Sequence, residues 1–515
     1  MPINLVACVC IYKNKLAIGS NGDLLFKING DHQFFKNLTT NSLGPLGSKG
    51  AKNIVLMGLT TQRSLPNRIL PGRINFVLTN NELLWTKLPK KPKNLKINKL
   101  YYMNMETFNN LYYKNTDLNV FVIGGSRVYN HFLEYKMVDK LYITHVERAD
   151  GKSISFDNDR TPDTYMNYFS HEYKFISYSE KYTKVIDDIE YKARILYYIK
   201  DKDFPKSHNS HNDGEFQYLN LMKKIFRDGN DRPDRTNTGT VSLFGTSMRF
   251  DISNSIPILT TKRVPFKTIL YELLWMLQGN TDAKILQRQG VHIWDGNTSR
   301  EFLDKAGLYS YPEGVLGAGY GWQLRNQGAE YSPACADMSK VPTLNIGGFD
   351  QLAYVEHLLK HDPFSRRIMF SYWNPSDFDK TALIPCHTHC QFYVTYGENG
   401  GNDGVKYLSC QFYMRSNDIF LGNSFNLGFY SILTYILAKR CGMQPKELIY
   451  TCGDTHIYKN HLEQSKLQLT RTPRPFPMVK LDDSLIHKEW QRMTVDDFEL
   501  IGYFYHPMIK APMAI

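Results

Sequence analysis

The stretch from Asp201 to Gly214, Asp-Lys-Asp-Phe-Pro-Lys-Ser-His-Asn-Ser-His-Asn-Asp-Gly, carries almost nothing to bury, yet lies well inside the chain. A run of this composition reads as a linker. It divides the sequence into residues 1–200, a linker at 201–214 and residues 215–515. The total of 515 residues favours two or three domains over one core. Before the linker come short runs rich in β-branched residues, Asn53–Gly58, Ile74–Thr79 and Val120–Gly125, which read as buried strands. After it, Thr268–Leu277 places apolar residues at 269, 270, 273, 274, 276 and 277, which is helical spacing. No internal repeat joins the halves, so two different folds are expected.

Composition narrows the class. Hydrophobic residues make up 42% and charged residues 22%, so the chain can build cores and lacks the signature of disorder. The net charge of +12 attracts anions. Its bases are dispersed, and the densest cluster, Lys87–Lys99, sits in a Pro- and Asn-containing loop that reads as a solvated face, not a nucleic-acid surface. The longest apolar stretch, Phe425–Ala438, contains Asn426 and stops at Lys439 and Arg440, too short and too polar to span a bilayer. The eight cysteines show no disulfide-scaffold spacing and no signal segment opens the chain. A soluble protein of a reducing, cytoplasmic compartment is expected.

Three features of the N-terminal half point to a nucleotide and a pteridine. Val122-Ile-Gly-Gly-Ser-Arg-Val-Tyr129 reads as a strand running through adjacent glycines into a helix, where backbone amides can approach a phosphate. It is not GxGxxG, so it is no Rossmann fingerprint. Ile18–Phe26 is a Gly- and Asn-containing loop of the kind that closes over ligands. Asp31 precedes the aromatic pair Phe34-Phe35, and is either a helix cap or an acid set against a protonated heterocycle.

In this order and spacing, these residues resemble dihydrofolate reductase over positions 3 to 199, together with Val6-Ala7, Leu56-Met-Gly58, Leu70-Pro-Gly-Arg73 and Leu141–Thr144. The resemblance implies a mixed β-sheet flanked by helices. It makes Asp31 the catalytic carboxylate, supported by Thr144, with Val6, Ala7 and Phe35 lining the folate and Arg73 pairing its α-carboxylate. NADPH would lie along Ala7, Ile18, Gly19, Gly22, Asp23, Gly58, Thr61, Thr79 and the segment Gly124, Gly125, Ser126, Arg127, Val128 and Tyr129. Three positions depart from the family. Phe26 stands where Trp is usual, Gln62 follows Thr61 where Trp is common, and Leu59 replaces the basic residue that faces the cofactor's 2′-phosphate. A weakened preference for NADPH over NADH is expected.

The C-terminal half centres on Ala382-Leu-Ile-Pro-Cys-His-Thr-His-Cys-Gln-Phe-Tyr-Val394. Two Cys and two His so close together suit tetrahedral zinc poorly, and no second ligand cluster follows. Alternatively Cys386 is a nucleophile, which needs positive charge nearby because a free thiol has a pKa of about 8.5. Arg235, the pair Arg366-Arg367 and Arg415 are available. Each alone reads as a surface ion pair; converging, they would make a phosphate site beside an activated thiol.

Residues 215 to 515 resemble thymidylate synthase from end to end, through Asp234–Thr240, Thr260–Arg263, Glu272–Trp275, Ile293–Asp295, Ser365–Arg367, Pro385–His387, Phe425-Asn426, Gly453–Tyr458, Arg474–Pro477 and Ile509–Ile515. The resemblance implies an α+β domain in which Cys386 attacks dUMP and Glu272 helps move protons. Arg235, Arg415 and Ser416 would bind the 5′-phosphate, with Arg366 and Arg367 reaching in from the second subunit of a homodimer. Asn426 would read the uracil edge, and His456 and Tyr458 the ribose. Asp418 would hold the pterin of 5,10-methylenetetrahydrofolate, Trp294 would flank its methylene, and Ala514-Ile515 would close over the ligands. Asn426 favours uracil where the dCMP-specific hydroxymethylases carry Asp. Met414 stands where Gln is usual, Leu324 where Trp is usual and Ala318-Gly319 where Pro-Val is usual, with Tyr320 retained near the nucleophile; slower turnover is expected. Cys335–Gly348 and Gly397–Gly404 read as surface insertions.

The two resemblances are complementary, because the synthase reaction releases dihydrofolate and the reductase consumes it. Tethering raises the local concentration of that intermediate, and the basic surface would guide it. Alternatives are an active synthase with a silent reductase, or an RNA-binding regulatory protein.

Overall fold

The computed structural model describes residues 3–40, 52–89, 91, 94–111, 118–156, 160–200, 214–340, 347–396 and 404–513. The linker at 201–214 lies outside these apart from Gly214, as do most of the insertion at 397–404 and the terminal Ala514-Ile515. The chain forms two compact units, Met1–Ser207 and His208–Ile515.

The first unit is built on a mixed sheet. Its main path runs Tyr173–Tyr178, Ile189–Lys200, Lys140–Arg148, Ile3–Tyr12, Leu118–Gly124, Lys52–Gly58, Ile74–Leu78 and Leu100–Met103. From Lys140–Arg148 onward the neighbours pair in parallel, whereas Ile189–Lys200 returns antiparallel. The inner strands are apolar on both faces because helices cover them, as parallel sheets require. The helix Asn29–Thr40 sets Phe34, Phe35 and Leu38 against Val6, Val55, Met57 and Phe121. Two neighbouring strands end in glycine, with Met57 paired to Gly124, and each hands over to a helix, Leu59–Ser64 and Ser126–Glu134. Adjacent βα turns at the carboxyl edge of a parallel sheet are where ligands bind in folds of this kind.

The second unit pairs a six-stranded sheet with a helical layer. Sheet order is Asn230–Arg232, Thr240–Asp251, Gln444–Tyr458, Lys406–Asp418, His387–Tyr396 and Met369–Ser371. The helix Gly422–Arg440 is buried nearly all round and packs on the two central strands. The helix expected over 268–277 starts at Phe266, just after Pro265, whose φ of −75° is the one its ring favours. Along the strands Cys390, Phe392, Cys410 and Phe412 point into the core, while Phe244, Gln391, Tyr393 and Gln411 face outward. That outer face is unusually aromatic, with Phe244 84% and Tyr393 66% exposed. Among the described residues no helix is long and apolar enough to cross a membrane.

Candidate functional sites

In the first unit, Asp31 sits in the first turn of Asn29–Thr40 with its side chain turned inward. Thr144 Oγ1, on the neighbouring strand Lys140–Arg148, donates to Asp31 Oδ1 at 2.5 Å. Burial raises the Asp31 carboxyl above its ordinary range, and the Thr144 bond opposes that rise. The helix-cap reading therefore fails: the acid is an interior group with one hydroxyl partner. Val6 and Ala7 are buried on the central strand, and the Val6 carbonyl accepts from Tyr129 Oη at 2.6 Å. Arg73 is buried, donates through Nη1 to Thr39 Oγ1 at 2.8 Å, and places its guanidinium 5.8 Å from the Phe35 ring centre.

The paired βα turns bring Gly58, Thr61, Gly124, Gly125, Val128 and Tyr129 together. A Cβ on Gly125 would come within 3.1 Å of Thr61 Oγ1, one on Gly124 within 3.3 Å of the same atom, and one on Gly58 within 3.3 Å of Val128 Cγ2. Gly124 also has φ of 130°, a conformation side chains rarely adopt. The cradle is thus kept free of side chains at these positions, which lets the two turns, Thr61 and Val128 pack closely. Ser126 Oγ is tied to the Tyr165 carbonyl at 2.5 Å, and Arg127 is exposed. Ile18 and Gly19 lie on the strand Lys15–Ser20, Gly22 on the turn after it, and Asp23 opens the short return strand Asp23–Leu24, where it pairs with Lys27 at 2.5 Å. Thr79 caps the end of Ile74–Leu78, its carbonyl accepting from Trp85 Nε1 at 3.1 Å. Phe26 fills an interior position against Tyr191, and Gln62 is buried and donates to the Arg68 carbonyl at 3.0 Å. Leu59 opens the short helix and packs on the core.

In the second unit Cys386 directly precedes the strand His387–Tyr396. Its amide donates to Tyr320 Oη at 2.9 Å. Arg415, on the adjacent strand, donates to the carbonyls of Pro385 and Ile384, both at 2.9 Å, and its own amide donates to the Cys386 carbonyl at 2.9 Å. Burial pushes the Cys386 thiol up, while Arg415 and then Arg235 pull it down. Two of the four candidate arginines therefore converge on the thiol. Arg366 and Arg367 are exposed and are not among the groups acting on it.

Glu272, on Phe266–Leu277, accepts from Trp294 Nε1 at 3.0 Å. Burial pushes its carboxyl up to about 7, with the indole donor opposing. Trp294 in turn lies 5.6 Å from the Tyr320 ring, so Glu272, Trp294, Tyr320 and Cys386 form one connected group. The parallel register of Lys406–Asp418 on Gln444–Tyr458 sets Ser416 beside Asp454 and Asp418 beside His456. His456 Nδ1 meets Asp454 Oδ1 at 3.0 Å, and its ring lies 5.0 Å from that of Tyr458. Asp418 Oδ1 accepts the amides of Phe420 and Leu421 at 2.9 and 3.2 Å. Asn426 lies in the first turns of Gly422–Arg440.

The clustered Cys and His side chains diverge instead of converging. His387 Nδ1 bonds Tyr430 Oη at 2.9 Å, His389 stacks on Tyr413, and Cys390 Sγ lies 3.3 Å from Cys410 Sγ. Among the described residues no group of three or more His, Cys, Asp or Glu is placed to hold a metal ion. Sequence reasoning missed Glu215, whose buried carboxylate accepts the amides of Thr260 and Thr261 at 2.8 Å and both hydroxyls at 2.5 Å. The signal was the Thr-Thr pair, which offers four donors to one acid. The stretch from Cys335 is also no mere surface insertion at its start, because the Ala336 carbonyl accepts the amides of Thr281 and Asp282.

Comparison with known proteins finds two families, each matching a different part of the chain. The family described as Dihydrofolate reductase matches residues 5–198, and that described as Thymidylate synthase matches residues 216–515. The bifunctional dihydrofolate reductase-thymidylate synthase of Zea mays is 37% identical, covering 97% of this chain and 95% of its own length. That of Paramecium tetraurelia is 36% identical over 97% of this chain and 96% of its own. A thymidylate synthase of Human herpesvirus 8 is 48% identical over 58% of this chain and 84% of its own.

Proposed function

Since the chain belongs to the bifunctional dihydrofolate reductase-thymidylate synthase family, with NADPH and 5,10-methylenetetrahydrofolate as the cofactor and co-substrate of its two activities, we propose the following division of labour among its residues. Cys386 is the nucleophile toward C6 of dUMP, and its attack makes C5 nucleophilic toward the one-carbon unit. The observation that carries this reading is the Arg415 fork on the Ile384 and Pro385 carbonyls, which fixes the nucleophile loop and sets a cation beside the thiol. Arg235, Arg415 and Ser416 take the 5′-phosphate, Asn426 the uracil edge, and His456 with Tyr458 the ribose. Glu272, with a carboxyl held near neutrality, moves protons at the base. Asp418 holds the folate and Trp294 flanks its methylene.

In the reductase unit Asp31 binds the pterin and promotes its protonation, with Thr144 fixing the carboxyl. Phe35 and Arg73 hold the rest of the folate beside Val6 and Ala7. The bare cradle at Gly58, Thr61 and Gly124–Tyr129 fits the NADPH diphosphate, with Ile18, Gly19, Gly22, Asp23 and Thr79 along the remainder. When bound, NADPH supplies the hydride.

Exposed Arg366 and Arg367, together with the aromatic outer face of the six-stranded sheet, support a homodimer in which each subunit completes the other's phosphate site. The reducing cytoplasm is its proposed setting, where Cys386 and the buried Cys390 and Cys410 stay as thiols. The test is paired variants: Cys386→Ala abolishes dTMP formation and spares dihydrofolate reduction, and Asp31→Asn does the reverse. Loss of both activities in either variant contradicts the assignment. Mixing Cys386→Ala with Arg366→Ala protein restores synthase activity if the site is shared.

A further inference from the structure

The amide of Asn426 is held from beneath. Its Nδ2 donates to Asn417 Oδ1 and to the Met414 thioether, both at 3.2 Å. The two acceptors are unequal, since a carboxamide oxygen accepts well and a thioether poorly, and neither of these atoms is able to donate. Asn417 is fixed in its turn. It is 3% exposed, and its Nδ2 donates to Tyr450 Oη at 3.0 Å. Tyr450 Oη meets Thr455 Oγ1 at 3.2 Å, and Thr455 Oγ1 meets Thr246 Oγ1 at 2.6 Å. The chain Asn426, Asn417, Tyr450, Thr455, Thr246 thus crosses three adjacent strands of the sheet from the first turns of Gly422–Arg440. Gly422 leaves room for it, because a Cβ there would stand 3.3 Å from Asn417 Oδ1.

A carboxamide can be flipped, and the flip decides which base it fits. Uracil offers an N3–H donor and an O4 acceptor; cytosine offers the reverse. We propose that Asn417 is a positioning residue for nucleobase choice: with the acceptor-only Met414, and with the His387 side chain also bonded to Asn426, it holds the Asn426 NH2 in one sense, so that the carboxamide meets uracil and opposes cytosine. The inference rests on Asn426 lying at the uracil edge. Substrate O4 then needs to displace only the weak thioether contact, while the Asn417 bond persists. The Gln usual at 414 is absent here, and Asn417 supplies the amide oxygen from three residues further along the strand.

The test uses the full chain and measures dUMP and dCMP dissociation constants by titration calorimetry. Asn417→Leu removes the acceptor at similar volume, and the preference for dUMP over dCMP is expected to fall about tenfold, with KM for dUMP rising more than kcat falls. Adding Met414→Gln to Asn417→Leu returns a carboxamide and restores most of the preference. Tyr450→Phe, which keeps the ring and frees the Asn417 amide, lowers the same ratio even if Asn417→Leu folds poorly. Equal weakening of both nucleotides, or no rescue by Met414→Gln, overturns the inference. Asn426→Asp separates the levels: an unchanged ratio there sinks the assignment of Asn426 itself, whereas a changed ratio with Asn417→Leu silent sinks only the role of Asn417.

Discussion

Trp294 Nε1 donates to Glu272 Oε1 at 3.0 Å, joining the aromatic wall beside the nucleophile to the one carboxyl of that group. The bond favours the ionised acid, yet burial outweighs it and the carboxyl stays at about 7. Between 4.5, its ordinary value, and about 7 the folded chain holds a proton that the unfolded chain has released. Stability therefore falls as pH rises through that window and levels off above it. Glu272→Gln removes this contribution, so its denaturant midpoint changes less than that of the parent between about pH 5 and about pH 8. An identical pH dependence in both proteins contradicts the burial argument. In turnover the same variant loses dTMP formation by about 100-fold or more.

The Cys386 thiol is raised by burial and lowered by Arg415 ahead of Arg235. Arg415→Ala should slow alkylation of Cys386 by iodoacetamide at fixed pH by about tenfold, because less of it is thiolate. Arg415→Lys keeps the charge but loses the fork on two carbonyls, and should fall between. Labelling followed by mass spectrometry reads both; an unchanged rate in Arg415→Ala would remove the guanidinium from thiol activation.

Thr144→Val deletes the hydroxyl that donates to the Asp31 carboxyl and leaves its burial in place. The carboxyl then holds its proton more tightly, so the limb of the reductase pH profile that reports Asp31 moves to higher pH. Stopped-flow hydride-transfer rates across the pH range check this, and a limb that stays in place rejects the coupling.

Leu59 packs on the apolar core at the start of its helix, where it offers no charge to a 2′-phosphate. Leu59→Arg should raise the ratio of kcat/KM for NADPH over NADH by about tenfold, worth roughly 1.4 kcal/mol. Steady-state kinetics with both cofactors measure the ratio, and no change would place the 2′-phosphate elsewhere.

Much of this was legible in the sequence, for different reasons in different places. The strand-to-helix turn at Gly124-Gly125 and the nucleophile loop at Pro385-Cys386 are contiguous, so local spacing carries them. Asp31 and Thr144 were linked only through the family resemblance, because the fold brings Thr144 to Asp31 from a strand more than a hundred residues along the chain. Asn417 and Glu215 were passed over altogether. Each is an ordinary polar residue until strand register sets Asn417 beside Thr455, or the Thr260-Thr261 turn folds over Glu215. The convergence of Arg235 and Arg415 without Arg366 and Arg367 is likewise a property of the fold, not of the motif.

The central claim is that one chain makes dTMP and reduces the dihydrofolate it releases. Purified protein with dUMP and methylenetetrahydrofolate, followed by absorbance before and after NADPH is added, tests it directly. The account predicts a rise as dihydrofolate forms and then consumption of NADPH in proportion to it. A rise with no later consumption would contradict it, leaving a synthase joined to a silent reductase.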